Sequence, residues 1–337
     1  MKFTFSILGL FFLLSCSSQK EIVNADPTKY ASTITSNELK EHLYTFASDE
    51  FMGRETGEPG QKKAANYLKE EYLELEIASP IAENDYYQDI PSSYFNDRFG
   101  NTENVIAFIK GRNYDTEPRE YLVISAHYDH VGTDDEGNVY NGADDDGSGT
   151  VAILEIAEAF KIAVEEGYRP KRSIIFLHFT GEEKGLLGSK FYTENPIVPL
   201  NETITNLNID MVGRIDPAHE GKSDYIYLIG SNMLSTELHE ISEKANQQYV
   251  GLNLDYKYNQ KDDPNRFYYR SDHYNFAKHG IPVIFYFNGV HEDYHQKTDE
   301  PQKIEYDLLE KRAKLIFYTA WKVANADHAP IVDQPVE

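Results

Sequence analysis

Acidic and histidine residues recur in this chain where apolar runs end, and that placement gives them chemistry. Tyr121–Ser125 leads into Ala126-His127-Tyr128-Asp129, and Ser173–Phe179 into Thr180-Gly181-Glu182-Glu183. Thr203–Ile209 leads into Asp210-Met211. In an open α/β sheet the carboxyl ends of the strands face one crevice, so these residues are expected to converge. Carboxylates and imidazoles crowded there repel, or lose hydration, unless a cation compensates them. The pattern predicts a metal site.

Each run adds its own chemistry. Side chains at i and i+2 of a strand end point the same way, so Asp129 is placed to accept the second imidazole proton of His127, as partners of metal-binding histidines do. Asp144, Asp145 and Asp146 sit between glycines where a helix opens. Three such carboxylates are costly unless solvated, capping the helix or holding a cation, and one is expected to be the cap. Their contiguity does not match the alternating acids of an EF-hand loop. Gly147-Ser148-Gly149 is not the GxSxG elbow of a serine hydrolase. Adjacent carboxylates diverge, so of Glu182 and Glu183 one can bind metal while the other faces the attacking water. Asp210 closes an apolar strand, an unfavourable place for an unpaired charge. His291-Glu292-Asp293-Tyr294-His295 matches HExxH literally, but that zincin signature requires a helix. The stretch follows a strand through Asn288-Gly289 and runs into Pro301, so it reads as loop. One of its histidines is expected at the metal, not both.

The elements that must position these residues follow from periodicity. Helical spacing marks Asn37–Ala47, 61–75, 147–164, 235–247 and 303–324. Strand patterns mark 104–109, 121–125, 173–179, 203–209, 225–229 and 281–287. Residues 80–102 show no clear period. The alternation predicts an α/β fold: a mostly parallel or mixed central sheet with helices on both faces.

The N-terminus reads as export rather than fold. Lys2 precedes an apolar stretch, Phe3–Leu14, too short to span a bilayer. It ends in Leu13-Leu14-Ser15-Cys16, which resembles the bacterial lipobox, and Cys16 is the one cysteine in the chain. That resemblance implies a signal peptide over 1–15, lipidation of Cys16, a tether over 16–30, and an exported lipoprotein anchored at a periplasmic or cell-surface face. A single catalytic domain is expected over 31–330. The formal charge of -24 argues against nucleic acid and against anionic membrane surfaces as partners. Any membrane contact is thus expected through the anchor alone.

Taken together, these motifs and the loop Ser48–Gly57 resemble peptidase family M28, the co-catalytic zinc aminopeptidases and carboxypeptidases. The resemblance runs from about Asn37 to Ala324 and implies the family's zinc-dependent exopeptidase fold, without the inserted protease-associated domain that some relatives carry. It implies two Zn2+, with Mn2+ or Co2+ also acceptable to such donors. His127 and Asp210 would hold one ion, Glu183 and His295 the other, and Asp145 would bridge. Glu182 would be the general base and Tyr294 an oxyanion donor. Arg270-Ser271-Asp272-His273 matches a segment that the family sets near substrate, so Arg270 and Asp272 are expected there. The implied reaction is hydrolysis at a peptide's end, an aminopeptidase rather than a carboxypeptidase. The rival readings are a glutaminyl-peptide cyclotransferase on the same fold, a zincin-type endopeptidase using His291 and His295, and a non-catalytic binding lipoprotein.

Overall fold

Strands that are apolar on both sides must be covered on both faces, and the apolar runs over 121–125, 173–179 and 283–287 take that position. The computed structural model describes residues 25–335. The described residues open with α1 (Pro27–Ala31), α2 (Ser36–Phe46) and α3 (Pro59–Glu74). Strands β1 (Tyr87–Ile90), β2 (Thr102–Ile109) and β3 (Tyr121–His127) follow, then a small hairpin of β4 (Gly132–Thr133) and β5 (Val139–Tyr140). Next come α4 (Gly149–Glu165), β6 (Ser173–Phe179), α5 (Leu187–Glu194) and β7 (Thr203–Ile209). The chain continues with β8 (Tyr225–Ile229), α6 (Thr236–Tyr249), β9 (Asn253–Asp255), α7 (His273–Ala277), β10 (Val283–Phe287) and α8 (Tyr306–Asn325).

Eight strands form one sheet in the order β1-β2-β6-β3-β7-β10-β8-β9. Its centre, β6-β3-β7-β10, is parallel throughout. On one side β2 pairs antiparallel with β6 and β1 antiparallel with β2; on the other β8 pairs antiparallel with β10 and β9 parallel with β8. Side chains alternate between two apolar layers. Leu122, Ile124, Ile174, Phe176, Leu207 and Ile284 pack with α2, α3, α4, α6 and α8. Val123, Ile175, Leu177 and Val283 pack with Tyr192 and Phe276 from α5 and α7.

The expected mixed sheet covered on both faces is present. Three local expectations change. Residues 80–102 contribute β1, an edge strand of four residues, too short to show a period. The tether was expected to reach residue 30, yet α1 begins at Pro27 under an Asp26 cap, and Tyr30 is buried in a stack on Trp321. Helices α5 and α7 were not read from the sequence because each has too few turns for an apolar period to declare itself. The signal segment and Cys16 lie outside the described residues. Among the described residues no helix is long and apolar enough to cross a membrane.

Candidate metal centre

The four parallel central strands deliver the donors from one edge of the sheet. His127 is the last residue of β3, Glu182 and Glu183 follow β6, Asp210 follows β7, and the loop after β10 carries His295. The loop before α4 brings Asp145 between them.

Asp145 turns its two oxygens to different partners. Oδ1 lies 3.2 Å from His127 Nε2, which is itself 3.7 Å from Asp210 Oδ1. Oδ2 lies 3.0 Å from His295 Nε2 and 3.7 Å from His130 Nδ1. Glu183 Oε1 joins this second group, 3.1 Å from His295 Nε2 and 3.0 Å from His130 Nδ1. Two trios, His127–Asp145–Asp210 and His130–Asp145–Glu183, each place one donor atom per residue close enough to share a metal ion. The buried atoms His127 Nε2, His130 Nδ1, Asp145 Oδ2 and Glu183 Oε1 have no hydrogen-bond partner. Buried polar atoms are normally partnered, so orphans pointing at common centres fit a divalent cation. Electrostatics agree. Burial opposes a charged imidazole, yet Asp145 and Glu183 outweigh it and lift His295 to about 10. Burial, joined by the carboxylates of Glu183, Asp210 and Asp272 and opposed by His127, pushes Glu182 well above the usual carboxylate range. A cation would relieve both.

The three consecutive aspartates divide their work. Asp146 Oδ1 accepts from Gly149 N–H at 2.9 Å at the start of α4, the capping role, and from Met211 N–H at 3.0 Å. Asp144 is a cross-link: Oδ1 accepts from Gly213 N–H at 2.6 Å, and Oδ2 lies 3.0 Å from His291 Nε2. The Asp299 carboxylate accepts from the N–H of both Asp144 and Asp145, which sets the loop. Gly142 permits this path at φ +51, because a Cβ there would meet Asp145 O at 2.3 Å and the His130 ring at 2.5 Å. Met211 and His295 also carry positive φ, 58 and 54. Such backbone costs energy in non-glycine residues and gathers at functional sites.

Arg54, fully buried, supports the site from the early loop. It donates to the carbonyls of Phe46, Tyr128, Asn141 and Gly142. Two of the donor-bearing loops, those after β3 and before α4, therefore hang on one guanidinium.

Some expected roles shift. The carbonyl of Asp129, not its carboxylate, is nearest His127 Nδ1: 3.0 Å against 3.7 Å. That carboxylate is occupied by Thr56 Oγ1 at 2.7 Å and Glu182 N–H at 3.1 Å. The chain turns after β3, so the strand alternation that would aim Asp129 at His127 no longer holds. Asp272, expected at the substrate, is fully buried and does not line the cavity. It stands behind Glu182, with its own carboxyl pushed up to about 7 by burial. The HExxH stretch is not helical, and His291 turns to Asp144. His130, Asp299 and Ser271 were not singled out in the sequence. No spacing in the sequence singled out His130, because it is the turn after β3 that brings it against Glu183.

A cavity opens beside the donors. His127, Asp145, Asp210, Glu182 and Tyr294 form its polar side, and Phe267, Phe285 and Phe287 its apolar wall. Arg270 lies at its exposed edge, stacked 5.0 Å over the Phe267 ring.

Known proteins share this arrangement of chain. Aminopeptidase NAALADL1 of Rattus norvegicus is 36% identical over 113 residues, covering 33% of this chain and 14% of that protein. The chain thus spans a minor part of that relative's length. The LapA aminopeptidase structure of Legionella pneumophila superposes with a TM-score of 0.68 at 20% identity, covering 89% of this chain and 74% of the other. The glutaminyl cyclase of Porphyromonas gingivalis gives 0.66 at 19% identity, covering 85% and 97%. At such identities the likeness is one of fold. A family match reaches further: the pattern described as peptidase family M28 fits residues 104–320. That span runs from β2 into α8 and takes in every strand that delivers a donor, so the chain belongs to peptidase family M28.

Proposed function

We propose that this protein is a zinc-dependent exopeptidase, an aminopeptidase that hydrolyses N-terminal residues from peptides. The carrying observation is Asp145, with one oxygen toward His127 and Asp210 and the other toward Glu183 and His295. Such a carboxylate could serve two ions at once, Zn2+ by family and Mn2+ or Co2+ by donor type. Ions there would supply Lewis acidity and make water acidic enough to deprotonate near neutral pH. The protein's own groups do the rest. Glu182, half-buried at the cavity, accepts the proton of the attacking water and returns it to the leaving amine. Tyr294 donates its hydroxyl to the oxygen on which negative charge develops. The aromatic wall receives an apolar side chain, and the surrounding carboxylates hold the free amino terminus. Export and anchoring through Cys16, with no other membrane contact, belong to the same proposal and rest on the N-terminal motif.

The test is hydrolysis of aminoacyl chromogenic substrates by purified protein, with and without chelator, beside Glu182→Ala. Chelator-sensitive release of free aminoacyl groups, lost in Glu182→Ala with metal retained, is expected. N-acetylated substrates are expected to resist. No hydrolysis by metal-loaded protein would sink the reading in favour of a binding protein. One tight metal equivalent with cyclisation of N-terminal glutamine would favour the cyclotransferase instead.

A further inference from the structure

His130 lies three residues beyond His127, the last of β3, and the roles given above leave it none. It is fully buried, and neither ring nitrogen has a hydrogen-bond partner, so no other group engages its Nδ1. That nitrogen lies 3.0 Å from Glu183 Oε1 and 3.7 Å from Asp145 Oδ2. His295 Nε2 approaches the same two oxygens at 3.1 and 3.0 Å. The two imidazoles flank them edge to face, with ring centres 5.7 Å apart.

These separations have a geometric meaning. Zinc takes nitrogen and oxygen donors at about 2.0–2.2 Å, so the corners of its tetrahedron stand about 3.3–3.6 Å apart. The separations from each imidazole nitrogen to the two oxygens, 3.0 to 3.7 Å, bracket that spacing, and one donor atom from each of His130, Asp145 and Glu183 lies close enough to share an ion. The cavity supplies a second, independent observation. It is lined by His127, Asp145, Asp210 and Glu182, whereas His130, Glu183 and His295 do not line it.

We infer that His130 is a fourth protein ligand of the second metal position, through Nδ1, beside Asp145, Glu183 and His295. The inference rests on the two-metal reading above. It makes the pair asymmetric. With His130 the second position would have four protein donors, the number that structural zinc sites have. The first would have three, His127, Asp145 and Asp210, all of which line the cavity. His130 would thereby hold the ion whose other donors, Glu183 and His295, do not line the cavity.

Anomalous diffraction from zinc-loaded wild-type crystals tests this directly. The expected result is a His130 Nδ1–metal distance of about 2.0–2.1 Å. A water in that corner, with Nδ1 more than about 3 Å away, overturns it. In solution, chelator competition compares wild type with His130→Ala. Even outer partners of ligands are worth about 10–100-fold in affinity, so loss of a ligand should weaken the second ion by at least about 100-fold while the first stays bound. Two ions in the wild type, held equally by His130→Ala, overturn the role of His130 alone. Fewer than two ions in the wild type overturn the two-metal reading itself, and this inference with it. The diffraction measurement stands even if the variant does not fold.

Discussion

Ser271 donates its hydroxyl to Asp210 Oδ2 at 2.5 Å, leaving Oδ1 free to face His127. The hydroxyl is itself held: Asn208 Nδ2 donates to Ser271 Oγ at 2.9 Å, and Ser125 Oγ donates to Asn208 Oδ1 at 2.7 Å. A buried chain of polar groups thus fixes the rotation of one carboxylate. Ser271→Ala should lower affinity for the first metal ion by about 10–100-fold and leave the second in place. Metal titration with a competing chelator reads it. Unchanged affinity would show that packing alone orients Asp210.

Tyr294 stacks on His295 with ring centres 3.9 Å apart and reaches the cavity. Tyr294→Phe keeps the stack and removes only the hydroxyl. The expected loss in kcat is about 10²–10³-fold, with KM within a few-fold, since the hydroxyl acts where charge develops. A variant with unaltered kcat removes the oxyanion role.

His291 separates the present reading from a zincin. Its Nε2 lies 3.0 Å from Asp144 Oδ2, where a buried link steadies the loop that precedes α4. His291→Ala should keep its metal and most of its activity while losing about 1–3 kcal/mol of stability. Loss of the metal with the fold intact would restore the HExxH reading.

Glu155 offers a pH test remote from the metals. Burial, aided by Glu38 and Glu158, pushes its carboxyl up to about 9, and His42, held low chiefly by burial, lies 3.5 Å away. A carboxyl whose folded pKa is raised binds its proton more tightly when folded. Its cost to stability is therefore absent below about 4.5, grows as pH rises, and is complete above about 9. Glu155→Gln should leave Tm nearly unchanged at pH 4.5 and raise it by roughly 2–4 °C at pH 8. Equal shifts at both pH values would mean the effect is one of packing.

Much of this architecture was legible before any coordinates. The apolar runs that become β3, β6 and β10 are nearly continuous because both faces are buried, and continuity is visible in one dimension, whereas β7 alternates Thr and Asn with Ile and Leu. Order along the chain then implied where His127, Glu182, Glu183 and Asp210 would gather, because parallel strands must present their carboxyl ends together. Tertiary structure alone decided the rest, since contacts made by turns have no period. Asp129 turned its carboxylate to Thr56 and Glu182, Asp272 withdrew behind the site, and the three aspartates took a cross-link, the centre and a cap. His130 became legible only when the chain's turn after β3 swung it against Glu183, a residue 53 positions away. Sequence by itself determined the kind of chemistry, because that depends on residue types and on the ends of strands. The division of labour among neighbours was decided in three dimensions, because it depends on which lone pair each loop leaves without a partner.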